Sequence, residues 1–284
     1  MALSYTTFAT TPDESTTTGR PSPAIRLIIS CMSQRISKDF YREEINKLIK
    51  ATEEHFGVEI TKEKLAEAIK LHNETRRLQQ EIYEMQKGEE VYLTGLELLM
   101  VMLAGVSLPR PEYNKMMKDL IAALKANGPR IKPKVRLLYT GGHADNPEFF
   151  ELLQQNDAHV VSDNTGFGTR AADVLICEDG DPLEAIINYY FEEKPAATRQ
   201  MGTQVERMER LLDLVKQYKA DGVVASRLYM CDLWAFEHFL MRKRLHENNV
   251  PFLELEVDYT PEGQGQIKTR VQAFVESLAD RQTA

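Results

Sequence analysis

Residues 221–239 read DGVVASRLYMCDLWAFEHF, and the change of period inside them decides the fold. Val223, Val224, Leu228 and Tyr229 fit the interior of a strand, and from Trp234 onward the apolar residues recur at helical spacing. Cys231 then stands at the carboxyl end of that strand, followed at once by Asp232. In open α/β sheets this edge is where ligands bind. From the residues alone the thiol has three readings: a small buried hydrophobe, the default for an isolated apolar-flanked cysteine, a nucleophile, or one ligand of a metal centre.

The same alternation continues on both sides. VRLLYTGG (135–142), AHVVSDN (158–164), GVVASRLYMCD (222–232) and FLELEVDY (252–259) read as strands. NPEFFELLQQND, DPLEAIINYYFEE, MGTQVERMERLLDLVKQYKAD, WAFEHFLMRKRLHENN and IKTRVQAFVESLAD read as helices, and GFGTRAADVL as a loop. Strands that alternate with helices predict an α/β lobe over 129–284, a doubly wound, parallel four-stranded sheet of Rossmann or flavodoxin type. Ahead of it, 37–128 reads as a helical block. Ser37 and Thr61 cap its first two helices, Gly57 ends the first, Thr94 and Glu97 form a capping box, and proline opens and glycine closes the helix of 109–128. Residues 1–36, rich in Thr, Ser and Pro, read as a disordered or irregular leader with one short apolar run, IRLIISCM.

A length of 284 residues allows one large or two modest domains, and 43% apolar with 27% charged residues is ordinary for a globular chain. The net charge of −8 and the lack of a Lys/Arg block argue against nucleic acid. No apolar run approaches a membrane span, no signal-peptide core is present, and three scattered cysteines make no disulfide framework. A cytoplasmic protein is expected.

The strand ends gather Thr140-Gly141-Gly142-His143, Asp163 to Arg170, Cys231-Asp232 and Asp258 to Arg270 on one sheet edge. TGFGTR (165–170) is not a dinucleotide fingerprint; it is a glycine turn, or a loop whose amides and Arg170 approach an anion. In EGQGQIKTR (262–270), Lys268 and Arg270 oppose the dipole of the helix they open, so they either meet a phosphate or carboxylate or form a solvated basic face. His55, His72, His143, His159, His238 and His246 show no zinc spacing, and no Ser-His-Asp set is justified. Cys177 reads as an interior residue.

Beyond these local readings, FYREEINKL (40–48), GVEITKEKLAEAIKLHNETRRLQQEIYEM (57–85), TGLELL (94–99), SDNTGFGTR (162–170), LYMCD (228–232) and VPFLELEVDYTPEGQGQIKTRVQAFVESL (250–278) occur in one order. Together they resemble the 2-hydroxyacyl-CoA dehydratase and benzoyl-CoA reductase subunit family, in the manner of the 2-hydroxyglutaryl-CoA dehydratase D-component. The resemblance implies a subunit of an oxygen-sensitive iron–sulfur enzyme that dehydrates 2-hydroxyacyl-CoA or reduces an aromatic acyl-CoA ring. It implies a paralogous partner subunit, an ATP-dependent iron–sulfur activator, and a [4Fe–4S] cluster held by three cysteines. Cys231 matches the last cluster ligand. The second ligand's position, two residues before the loop's Gly-x-Arg, is Gly166 here, and the lobe that supplies the remaining cysteine has no counterpart, so Cys31 is not matched to it. By position in the matching loops, the resemblance singles out Asp163, Thr169, Arg170, Gly265, Gln266 and Arg270, with Thr169, Arg170, Gly265, Gln266 and Arg270 expected at the substrate and Arg170 and Arg270 at an anion. Two explanations follow, a shortened, cluster-less partner that packs against a cluster-bearing subunit and helps form the acyl-CoA cleft, or a truncated or altered relative without activity; a cluster-less, non-catalytic scaffold or regulatory subunit is the alternative from another class. A generic nucleotide-binding α/β protein is the third.

Overall fold

A computed structural model describes residues 5–6, 27–28, 35–142, 145–154, 158–200, 202–258 and 264–283. The expectations for most of the leader, for Cys31 and for His143 lie outside them. The elements run β1 (Tyr5–Thr6), β2 (Leu27–Ile28), α1 (Arg35–Phe56), α2 (Lys62–Glu84), α3 (Gly95–Ser107), α4 (Arg110–Asn127), β3 (Val135–Gly141), α5 (Pro147–Leu153), β4 (Ala158–Asn164), α6 (Thr169–Ala172), α7 (Pro182–Asn188), a π-helical turn (Tyr189–Glu193), α8 (Gln204–Gln217), β5 (Gly222–Leu228), α9 (Asp232–Glu247), β6 (Phe252–Val257) and α10 (Gln264–Thr283). None of the described helices is long and apolar enough to cross a membrane.

The chain divides into two compact units. One comprises Met1–Lys70, Ile176–Glu193 and Arg199–Gly202. In it α1 is tied to α7 and the π-helical turn by Arg42 on Glu184, Lys38 on Glu192 and a Tyr41–Phe191 ring contact at 6.0 Å, while Lys62 reaches Asp181. The other comprises Leu71–Leu175, Lys194–Thr198 and Thr203–Ala284 and holds the four-stranded sheet.

That sheet has the order β4-β3-β5-β6 and every pairing is parallel. Alternate side chains point to opposite faces, so the pleat feeds two cores. Leu138, Val161, Val223 and Ala225 join Leu98, Met102, Met117, Leu211 and Met241 on one side. Leu137, Tyr139, Val160, Val224 and Leu255 join Phe149, Phe150, Val271 and Val275 on the other. With each fully buried large side chain contributing about 1.5–3 kcal/mol, both faces must be covered, which makes this a doubly wound α/β sheet preceded by helices. The expected Thr94–Glu97 capping box forms, and the Asn146 and Asp181 side chains cap α5 and α7.

Several boundaries differ from the sequence reading. β5 stops at Leu228, where its register with Val257 ends; Tyr229 and Met230 form a turn, with Met230 at φ 61°. Cys231 is therefore the N-cap of α9 rather than a strand residue. GFGTRAADVL contains the short α6, the helix after Asp181 changes to π winding at Tyr189, and α1 begins ahead of Ser37. α10 starts at Gln264, so Gly265 lies inside it.

Candidate functional site

Strand order fixes where a site can be. β3 leads to β4 on one side and the chain then crosses to β5 on the other, so the carboxyl ends of β3 and β5 form the topological switch point. Gly141 and Gly142 end β3 there. A Cβ on Gly142 would fall 2.3 Å from the Trp234 indole nitrogen, so glycine is what lets the first turn of α9 close over the strand end.

The turn after β4 is locked by one carboxylate. Asp163 accepts from the Thr165 amide at 2.8 Å and the Thr165 hydroxyl at 2.6 Å, and the buried Tyr83 hydroxyl donates to its other oxygen. Burial, with Asp163 beside it, drives the Tyr83 phenol well above its ordinary pKa, so it stays a donor. Thr165 Oγ1 in turn accepts from the Gly168 amide, and Thr169 Oγ1 donates to the Asp163 carbonyl at 2.6 Å. Gly168 has no alternative here: a Cβ would lie 2.0 Å from Asp163 Oδ1. From α8, Arg210 bonds Asn164, Thr169 and Asp173, and Arg207 meets Glu237 of α9 through two 2.7 Å bonds. Asp163 and Thr165 also close one end of a narrow recess lined otherwise by apolar side chains that include Leu98, Met102 and Phe167.

Arg170 stands apart from this network. Its Nε has no hydrogen-bond partner, and among the described residues no carboxylate pairs with it. Burial, then the neighbouring Arg210, pulls its pKa down. Gly166 is exposed, and a Cβ there would sit 3.3 Å from Arg170 Nη2.

After β5 the surface changes character. Cys231 is half-buried and caps no amide, while Tyr229, Met230, Leu233 and Phe236 are exposed by 64%, 76%, 46% and 61%. After β6, Gly265, Gln266, Thr269 and Arg270 are exposed on α10. Arg270 donates to the Glu254 carbonyl at 2.7 Å, part-way along a strand that is an edge of the sheet among the described residues. Because β4 and β6 are the outermost strands, three inter-strand steps of about 4.8 Å, or ~14 Å, separate the Arg170 side of the edge from the Arg270 side.

Tyr83, Arg207 and Arg210 are missed by sequence reasoning; their only signal is a polar residue on an otherwise apolar helix stripe. His238 is missed as well. It is wholly buried against Trp234 and Phe252, with Glu254 Oε1 at 3.4 Å. Cys177 is exposed rather than interior, its thiol facing the Asp179 carbonyl.

Among the described residues no three His, Cys, Asp or Glu side chains gather as a metal site. Cysteines hold an iron–sulfur cubane through several thiolates; here Cys231 has no described cysteine beside it, and a guanidinium flanks Gly166. The described residues do not fit a [4Fe–4S] cluster.

A family model for the 2-hydroxyglutaryl-CoA dehydratase D-component matches residues 18–278. The chain belongs to this family. Its relatives include YjiM of Escherichia coli strain K12, provisionally named a dehydratase subunit (28% identical over 253 residues, 85% of this chain and 64% of YjiM). A benzoyl-CoA reductase subunit of Thauera aromatica is 24% identical over 246 residues, 86% of this chain and 64% of its own length. The (R)-phenyllactyl-CoA dehydratase beta subunit of Clostridium sporogenes is 24% identical over 245 residues, 85% and 64%. The chain thus spans less than two thirds of the length of these relatives, all of them named as subunits.

Proposed function

We propose that this chain is one subunit of a complex acting on an acyl-CoA thioester, by 2-hydroxyacyl-CoA dehydration or by ring reduction of the benzoyl-CoA type. The family match across 18–278 carries the reading. The partner is a paralogous subunit that holds the cluster, and electrons come from an ATP-hydrolysing iron–sulfur activator. Gly166, at the position where the resemblance puts the second ligand and with the Arg170 guanidinium against it, supports this division, with the present chain as the cluster-less member.

Its share is to form one wall of the acyl-CoA cleft. The exposed apolar rim around Cys231 is offered to the partner, since an uncovered patch of this kind marks an interaction surface. Thr169, Arg170, Gly265, Gln266 and Arg270 are the proposed substrate contacts. Of these, Thr169 acts through its turn, because its hydroxyl is engaged with Asp163 and Arg210. Arg170 brings positive charge that no carboxylate among the described residues pairs with, in a partly desolvated place where such charge acts strongly.

Anaerobic purification of the chain alone and with a cluster-bearing paralogue tests this. Iron well below about four per isolated chain, and acyl-CoA turnover that requires this chain in the mixture with the activator, are expected. Four irons per isolated chain would overturn the cluster-less assignment, and turnover indifferent to the chain would overturn the subunit role.

A further inference from the structure

Among the described residues around the β4 turn, the carboxylates are paired with groups other than Arg170. Asp163 is engaged by Tyr83 and Thr165, Asp173 by Arg210, and Glu237 by Arg207. Arg170 shares their surroundings, and the groups acting on it are Arg210 and Arg207 as well as Asp163 and Glu237. Lys194 is a further, half-buried cation near it, its ammonium pulled down by burial and then by Arg170. A guanidinium with five donors, desolvated among like charges and without a carboxylate of its own, is costly to hold. Access is the second observation. A side chain at 166 would press on Nη2, whereas the exposed Gly166 leaves that face open.

We infer that Arg170, reached through the gap at Gly166, anchors a site for one compact oxyanion, a phosphate or carboxylate group of its ligand. The planar fork suits such a group because two parallel N–H donors match two oxygens. The inference deepens the acyl-CoA reading, on which it rests for the identity of the natural ligand, whose phosphates have this chemistry. The site itself follows from the turn.

The test titrates the full chain with inorganic phosphate, with acetate and with coenzyme A, following heat of binding and melting temperature. Phosphate should bind and raise the melting temperature. Arg170→Met should weaken it about tenfold or more, and Arg170→Lys should fall between. Arg244→Met is the control, since Arg244 pairs with Glu209 and Glu247 on the surface. Should Arg170→Met fail to fold, Gly166→Asp answers the question differently. It places a carboxylate on the guanidinium and should raise the melting temperature while removing phosphate binding. Equal phosphate affinity in wild type, Arg170→Met and Gly166→Asp, or no phosphate binding by wild type, would overturn the site. Displacement of phosphate by coenzyme A supports both the site and the acyl-CoA reading. Phosphate binding through Arg170, with or without competition by acetate, that coenzyme A does not displace upholds the site and removes the acyl-CoA source.

Discussion

The turn after β4 and the turn after β5 leave the same edge of one sheet and are opposite in kind. From Asp163 to Thr169 the polar groups bond one another, with Tyr83 and Arg210 reaching in from two helices. From Tyr229 to Phe236 the chain presents Tyr, Met, Leu and Phe to water around a thiol that caps nothing. A turn satisfied from within holds its geometry alone. An apolar rim without cover is completed by another surface. One turn is closed by its own hydrogen bonds; the other leaves its apolar side chains uncovered in the chain alone.

Asp163→Ala strikes hardest at this contrast. It strands the Tyr83 hydroxyl and two Thr165 donors in a buried place, so chemical denaturation should show a loss of about 3–5 kcal/mol. A loss under ~1 kcal/mol would mean that the turn does not depend on this carboxylate. Gly168→Ala comes next, at about 1–3 kcal/mol, because the new methyl collides with Asp163; unchanged stability would show that the turn can yield.

The far side of the rim responds to pH. Burial holds the His238 imidazole below its ordinary pKa, with Arg227 and Arg242 acting in the same direction and Glu254 against. The folded state thus keeps it neutral while the unfolded chain protonates near pH 6.5. Its contribution is fully present above that pH and is lost as the pH falls further. Between pH 7 and 5 the wild type should lose on the order of 1 kcal/mol more than His238→Leu; identical pH slopes would refute the point. Smallest of all, Met230→Ser and Phe236→Ser should change the stability of the isolated chain by less than about 0.5 kcal/mol. A larger loss would mean that the rim is already packed within the lobe.

Periodicity made the four long strands, the parallel sheet and most helices legible, because both faces of the sheet are buried and the pattern has to say so. Local turns were read less well. Tyr229 and Met230 look like strand interior because their apolarity serves the surface, and a methionine at φ 61° carries no sequence mark. Asp163 and Arg170 could be picked out by their place after a strand. Their surroundings could not, since Tyr83 lies 80 residues from Asp163 and Glu237 lies 30 from Arg207. His238 was hidden in a helix that reads as charged, since Phe252, which packs on it, comes from the following strand.

The decisive measurement for this division of labour is hydrogen–deuterium exchange on residues 162–173 and 229–239, in the chain alone and in the reconstituted complex. Residues 162–173 should be protected in both, and 229–239 should become protected only in the complex. An active complex in which 229–239 exchanges as freely as in the isolated chain would contradict it.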